Sequence, residues 1–380
     1  MKYKILIISL LVFSCKNWNT KFAESDLSAF IVDFGKSTPK EIGLKEIAKS
    51  VRYIKLELKP ECTIGSITEL SATKDYFFLV NKEDHEIYQF TRTGEFVRKI
   101  GKAGRGPGEY PALIDLTFDE SKGRIFVLTD FLRKILIYDY NGTYLNSINI
   151  PDRFAQSIDY IDSGIIAIQS GSTINTLVST EIINEQGKSL VQFRSRIYKN
   201  ISPNPDGKLY NLVYRYKNDF YVKEFKNDTV YKMTANGLLP YFVVNLGKFK
   251  PPLECAEPEW YRYYIIYRIL ETDNFIFILF AYNSNGCVAR YNKSTKELLV
   301  NIPHNNEQTG IKNDFDNGPN FFLTLHPRTY KTSQQEWILP LSPVELLKTL
   351  NQNWKSGEPE NLLTQIDRND NPVIMVIEIF

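Results

Sequence analysis

YFFLVNKEDHEIYQFTRTGEFVRKI, from Tyr76 to Ile100, lies over RIFVLTDFLRKILIYDYNGTYLNSI, from Arg124 to Ile148, without a gap at an offset of 48 residues. Identity between the two is low, yet Ile87 falls on Ile135, Gly94 on Gly142 and Ile100 on Ile148. Both segments run apolar strand, polar turn, alternating strand ending in an aromatic, glycine turn, strand. Thr-Gly and Asn-Gly between alternating segments are hairpin signals. Weaker copies follow. Gly164–Phe193 ends in strand, Gly187, strand; Asp219–Leu246 places Gly237 where Gly94 and Gly142 sit; Asn274–Ile302 replaces the glycine turn by Lys293-Ser294-Thr295-Lys296. Further short strands, among them Ile114–Phe118 and Ile265–Leu270, lie between the copies.

Each unit therefore holds about four short antiparallel strands. A repeat of ~40–50 residues with four strands is the signature of a β-propeller blade. A lone blade cannot bury both of its faces, so blades must stack around an axis. The abundance of Tyr (23) and Phe (24) suits strands, and the chain is expected to be all-β. At this period, residues 41–380 accommodate a six-bladed β-propeller of four-stranded antiparallel blades. SVRYIKLEL (Ser50–Leu58) and NPVIMVIEIF (Asn371–Phe380) are strands near the two ends. A ring closed by sharing one blade between the N- and C-terminal strands would use both and leave few free strand edges. One short helix is expected at SPVELLKTLNQ, inserted in the last blade, with Ser342 as N-cap, Pro343 at the first helical position and Glu345 completing a capping box. Leu346, Leu347 and Leu350 form its apolar face.

The N-terminus has a different character. Lys2 and Lys4 precede an apolar run from Ile5 to Phe13, the length of a signal-peptide core and too short to span a bilayer. Val12-Phe13-Ser14-Cys15 resembles a bacterial lipobox, although Phe13 is bulkier than the usual residue there. That resemblance implies residues 1–14 as a lipoprotein signal peptide, lipid attachment at Cys15, and residues 15–40 as a lipid-anchored tether. The formal net charge is +2, with no basic block or tail, so nucleic acid is not an expected partner. Cys62, Cys255 and Cys287 show no CxxC spacing, which argues against a zinc site; buried free thiols are the simpler expectation.

Taken in order, the lipobox, VRYIKLE, IGKAGRGPGEY, NDTVYKM and NPVIMVIEI resemble the six-bladed β-propeller lipoproteins common in Bacteroidota, which are loosely similar to NHL-repeat propellers. The shared features span nearly the whole mature chain, and the glycine-rich stretch is the most specific. The resemblance implies a domain in the periplasm or at the cell surface, on the outer membrane. It implies no reaction.

KIGKAGRGPGEYPA (Lys99–Ala112) could in principle cradle a phosphate. A Walker loop needs Lys-Ser or Lys-Thr after its glycines and then a helix. Neither follows here, and Leu113–Phe118 has the pattern of a strand. The stretch is instead expected to cross from the outer strand of one blade to the inner strand of the next. It would then hold Arg105, Glu109 and Tyr110 near the mouth of the central channel, or only pin its own loop. The segment EPEWYRYYIIYR (Glu257–Arg268) concentrates aromatics and arginines, which suit sugars or extended polymers. Read as a strand, it points Trp260 and Arg262 to one side. The second Gly-Pro loop, NDFDNGPNFF (Asn313–Phe322), is expected near the same channel. His85, His304 and His326 lack metal or triad spacing; His326, at a strand exit, is the one histidine kept as a binding residue. DRNDN (Asp367–Asn371) lacks the glycine and final glutamate of a calcium loop. No metal or cofactor is expected. The leading function is non-enzymatic binding at the channel mouth of a glycan, peptide or envelope protein. The alternative is a lyase or hydrolase with its site in the channel, which a clustered His/Asp/Glu set would favour; fold alone does not decide.

Overall fold

The computed structural model describes residues 29–380, apart from 130–132, 151–154, 171–177, 195–211, 218, 225, 235–236, 253–254, 256, 304–309, 322–329, 332–334 and 351–364. Three strands come from the N-terminal segment: β1 (Phe30–Asp33), β2 (Thr38–Pro39) and β3 (Ala48–Lys55). Five blades then follow in chain order. The first holds β4 (Ile67–Ala72), β5 (Tyr76–Asn81), β6 (Ile87–Thr91) and β7 (Phe96–Ile100). The second holds β8 (Leu113–Asp119), β9 (Arg124–Thr129), β10 (Lys134–Asp139) and β11 (Tyr144–Asn149). The third holds β12 (Ala155–Asp162), β13 (Ile165–Ser170), β14 (Val178–Asn184) and β15 (Ser189–Arg194). The fourth holds β16 (Leu212–Tyr216), β17 (Asp219–Lys223), β18 (Thr229–Thr234) and β19 (Gly237–Asn245), and the fifth β20 (Ile265–Glu271), β21 (Phe275–Tyr282), β22 (Asn285–Asn292) and β23 (Leu298–Asn301). The sixth joins β25 (Glu336–Leu341) and β26 (Val373–Ile379) to the N-terminal β3, while β24 (Tyr330–Lys331) pairs in parallel with β4 of the first. The fold is the expected six-bladed propeller. The aligned repeat corresponds strand for strand to β5–β7 and β9–β11.

Both faces of a blade are buried, and the middle strands show why their sequences are almost continuously apolar. On β9, Ile125 and Val127 pack toward the first blade, whereas Phe126 and Leu128 pack toward the third. On β10, Leu136 and Tyr138 face the first blade, and Ile135 and Ile137 the third. A period of two is present, but each side meets a neighbouring blade rather than water. The core is thus a series of apolar seams between blades, the longest running through the fifth, sixth and first, instead of a single centre. The outermost strand has no such burden, and Tyr144 and Leu145 of β11 are exposed.

The repeated glycine turn couples neighbours. Gly94 has φ +92° and lies against the end of β3, so an added Cβ would come within 2.1 Å of the Lys55 carbonyl oxygen. The Glu57 N–H in turn donates to the Gly94 carbonyl (2.8 Å). In the fifth blade Lys296 takes the left-handed conformation itself, at φ +64°.

Ring closure occurs as the terminal strands foretold. β26 pairs antiparallel with β25 on one side and with β3 on the other, from Val373↔Lys55 to Ile379↔Ala48. The N-terminal segment does more than close the last blade. β1 pairs in parallel with β19, and β2 in parallel with β23. The chain from Phe30 to Lys55 therefore runs along the outer edges of three successive blades. This shortens the expected tether of residues 15–40, because residues 30–39 belong to the ring. Their backbone groups occupy strand edges that would otherwise be open for pairing. Helix α1 (Pro343–Leu350) is inserted between β25 and β26; the Leu346 N–H donates to the Ser342 carbonyl (2.9 Å), and Leu346 is buried in the core.

Antiparallel order divides the connections between two ends of the ring. First-to-second-strand turns, such as 73–75 and 163–164, leave from one end. The long crossings 101–112 and 246–264 leave from the other, together with the β25–β26 connection that carries α1.

Candidate functional site

The glycine-rich crossing 101–112 is a buckle. Its residues fold back on themselves, with the Tyr110 N–H donating to the Lys102 carbonyl (3.0 Å) and the Gly104 N–H to the Tyr110 carbonyl (3.1 Å). Tyr110, expected near the channel mouth, is fully buried between the first two blades. Its hydroxyl donates to the Ile100 carbonyl (3.0 Å) and accepts from the Ile87 N–H (3.3 Å). Burial pushes this phenol well above its ordinary range. Glu109 accepts from the Gly106 N–H (2.8 Å), and its carboxylate fills the space beside Gly104, where a Cβ would lie 2.1 Å from Oε2. Tyr110 and Glu109 are thus structural rather than ligand contacts; an aromatic ring flanked by two blades is worth more as packing than exposed. Arg105 is exposed at the tip. Tyr110→Phe is expected to cost about 2 kcal/mol, since two hydrogen bonds vanish and a buried backbone group loses its partner. Urea unfolding would register this as a lower midpoint at unchanged slope.

The aromatic segment differs from its expected form. Glu257–Arg262 is a 3₁₀ helix, and the strand begins only at Ile265. Pro258 supplies no N–H and holds a φ that suits a helical first turn, which opposes an extended start. Alternation of Trp260 and Arg262 on one strand face is therefore lost. Trp260 is half-buried, and its indole N–H donates to the Cys255 carbonyl (3.3 Å). Arg262 is exposed and lies over Tyr261, 5.4 Å from the ring centre. Tyr264 is buried and stacks on Phe249 at 4.2 Å.

The Asn313–Phe322 loop also serves the framework. The Asn313 side-chain amide donates to Tyr53 Oη (3.0 Å) and Asp316 Oδ1 (2.6 Å), which binds the loop to the ring-closing β3. Near the axis, Asp115 Oδ2 accepts from the Ile158 N–H (2.8 Å), so this carboxylate joins the inner strands of two blades. Cys62, Cys255 and Cys287 are buried and unbridged. Cys15, His304 and His326 lie outside the described residues.

A different place on the same end of the ring has the features of a site. The β17–β18 connection and the 246–264 crossing border a small cleft of about 20 Å³, partly open to solvent, between the fourth and fifth blades. Lys223, Lys226 and Lys250 line it, with Asn227, Asp228 and an apolar wall that includes Leu246 and Ile266. Two of the lysines are engaged. Lys250 Nζ pairs with Asp228 Oδ2 at 2.5 Å, and Lys226 Nζ donates to the Cys255 carbonyl at 2.8 Å. The carbonyl that holds Lys226 is also the one that holds Trp260.

Lys223 stands apart. It is only 6% exposed, and its ammonium reaches the Glu224 carbonyl at 3.5 Å, the outer limit of a hydrogen bond. Burial, reinforced by the charge of Lys250, pushes its amine down to about 8, while Asp228 and Glu224 pull the other way. A buried amine with so little direct compensation is rare in a structural role.

Sequence reasoning missed Lys223 because VKEFK looks like the end of an ordinary strand. The available signal was the adjacent NDTVYKM, whose Asn227 and Asp228 line the cleft. The Arg105 loop and this cleft lie at junctions on opposite sides of the ring and do not form one site. Among the described residues, no three His, Cys, Asp or Glu side chains converge to hold a metal.

Residues 29–378 match the family described as Domain of unknown function (DUF4934). No curated protein matches the chain. Among solved structures, a Bacteroides fragilis protein described as exported is 16% identical, with 92% of this chain and 99% of that one covered and a TM-score of 0.74. A member of the DUF4221 family from Bacteroides vulgatus is 12% identical, with 90% and 99% covered and a TM-score of 0.54. Both likenesses concern the fold.

Proposed function

Because the chain belongs to the DUF4934 family, whose description assigns no activity, we propose from its geometry that it is a binding protein of the bacterial cell envelope. In this reading it is anchored through lipid on Cys15 and engages its ligand at the end of the ring that carries the long crossings. One observation carries it: the two ends are unequal. Short turns that only reverse the chain occupy one end, whereas the crossings, α1 and the lysine-lined cleft occupy the other. Loops held by a rigid scaffold are where binding residues concentrate. The lipobox and the export of a protein of like fold support the envelope location.

The test is site-specific photo-crosslinking in cells expressing the full chain. A photoreactive residue replaces exposed Arg105 or Tyr261 on the long-loop end, and exposed Lys74 or Lys122 on the opposite end. Adducts in the membrane fraction from the first pair alone are the expected outcome. Adducts from the second pair alone, or a chain found only in the soluble fraction, would overturn it.

A further inference from the structure

We propose that the outer wall of the second and third blades, along β11 and β15, rests on the lipid surface to which Cys15 anchors the chain. The proposal relies on lipid attachment at Cys15, part of the reading above, and adds the surface that meets the bilayer.

The direction of the chain gives the position. The turn that opens an outer strand abuts the end of the outer strand before it: Gly94 lies against Lys55, Gly142 against Lys99 and Gly187 against Asn149. The outer strands therefore follow one another head to tail around the ring. β1 pairs in parallel with β19, from Phe30↔Phe242 to Asp33↔Asn245, so it travels this circuit in the same sense. The chain thus enters β1 from the side of the third blade. Residues 16–29 separate Cys15 from that entry, and 14 residues reach about 50 Å at most. The lipid is tied next to the wall that ends at the third blade.

The chemistry of the wall changes at the same place. Where the N-terminal segment covers the outer edges, the exposed side chains include Lys36, Lys40, Glu41, Lys45, Glu46 and Lys49. β7, β11 and β15 are terminal in their sheets, with no further strand outside them among the described residues. β11 has no charged residue, and its Tyr144 and Leu145 are 39% and 48% exposed. Next in the circuit, Leu190 of β15 is 47% exposed. An unpaired strand edge is ordinarily guarded by charge or covered. A headgroup layer covers this one. It takes leucine into its apolar boundary and suits tyrosine, whose ring is apolar and whose hydroxyl stays wet. Exposed Lys188, where β15 begins, adds a cation for lipid phosphates. With this wall down, the axis of the ring lies along the membrane, and the long-loop end stays open to solvent.

Quenching by a lipid-borne nitroxide tests this. The chain from Cys15 onward is coupled through that thiol to a maleimide lipid in vesicles of phosphatidylcholine and phosphatidylglycerol; Cys62, Cys255 and Cys287 are buried. An environment-sensitive fluorescent amino acid replaces Leu145, Leu190, Lys40, Lys74 or Arg105 in turn. Quenching stronger by about twofold or more at 145 and 190 than at 40, 74 and 105 is expected, because apolar side chains draw their own face into the interface. Leu145→Asp should weaken the quenching at 190. Equal quenching at every position, strongest quenching at 40, 74 or 105, or an unaffected signal at 190 in Leu145→Asp would each overturn the proposal. So would a change at 145 that needs no vesicles and grows with protein concentration, since a second copy would then cover the wall. Coupling here is chemical and does not depend on lipidation in cells. A failure with long-loop adducts intact therefore removes this surface alone, whereas a chain found only in the soluble fraction of cells removes the anchor itself.

Discussion

A chain ending at Pro372 is expected not to fold. The residues removed are β26 and Phe380, and β26 is the strand with partners on both sides in the sixth blade. Val373, Ile374, Met375, Val376, Ile377 and Ile379 are all at most 2% exposed. At about 1.5–3 kcal/mol for each buried aliphatic side chain, their loss rivals the ~5–15 kcal/mol that separates a folded domain from its unfolded state. The loss is also topological. Without β26, β3 and β25 have no common neighbour, and the ring opens between its first and fifth blades. Far-UV circular dichroism and the soluble yield of the truncated chain would report it. A cooperative thermal transition close to that of the full chain would show that five blades suffice, and would remove ring closure as the source of stability.

Lys223→Met is expected to make the ligand-free protein more stable, by about 3 kcal/mol at neutral pH. The ammonium is charged in the unfolded chain with an ordinary value of 10.5 and is pushed down to about 8 when folded. Each unit of such a difference is worth about 1.4 kcal/mol. Methionine keeps the unbranched stem and removes the charge. The sign with pH follows from proton counts: between about 8 and 10.5 the unfolded chain binds a proton that the folded protein does not. Stability of the unaltered protein therefore rises across that window. The advantage of the variant is full below pH 8 and shrinks as pH increases toward 10.5. Denaturant unfolding of both proteins at pH 7 and pH 9.5 measures it. A variant less stable than the unaltered protein at pH 7 would mean that Lys223 is a structural tie. A stability gain is what removing a buried ammonium with one long hydrogen bond produces.

The two expected sites fared differently, for reasons visible in single residues. Glycines in IGKAGRGPGEY announced a sharp crossing between blades, and the crossing is there. The fate of Tyr110 was not announced, because a tyrosine beside a glycine loop is equally at home on a rim or in a seam. Ile87, whose N–H donates to its hydroxyl, and Ile100, whose carbonyl accepts from it, lie 23 and 10 residues away in sequence. The 257–268 segment has the aromatic content of a strand, but Pro258 favours a helical turn at its start, and the strand begins only at Ile265. Lys223 carried no motif at all. Its isolation depends on Asp228 choosing Lys250 and on the Cys255 carbonyl choosing Lys226, and neither choice is local.

Periodicity, turn chemistry and the two terminal apolar strands determined by themselves that this chain makes six blades and closes them with its own ends. Those features are written locally: a strand's alternation, a glycine that must adopt positive φ, a capping serine before a proline. Only the tertiary structure decided which faces are sealed and which side chains remain available. The N-terminal segment became a strap along three blades because open strand edges existed there to pair with it. The cleft exists because the fourth and fifth blades meet across a long crossing, and burial then isolates one ammonium between them. Burial and charge pairing are properties of distant segments brought together, and no window of the sequence contains them.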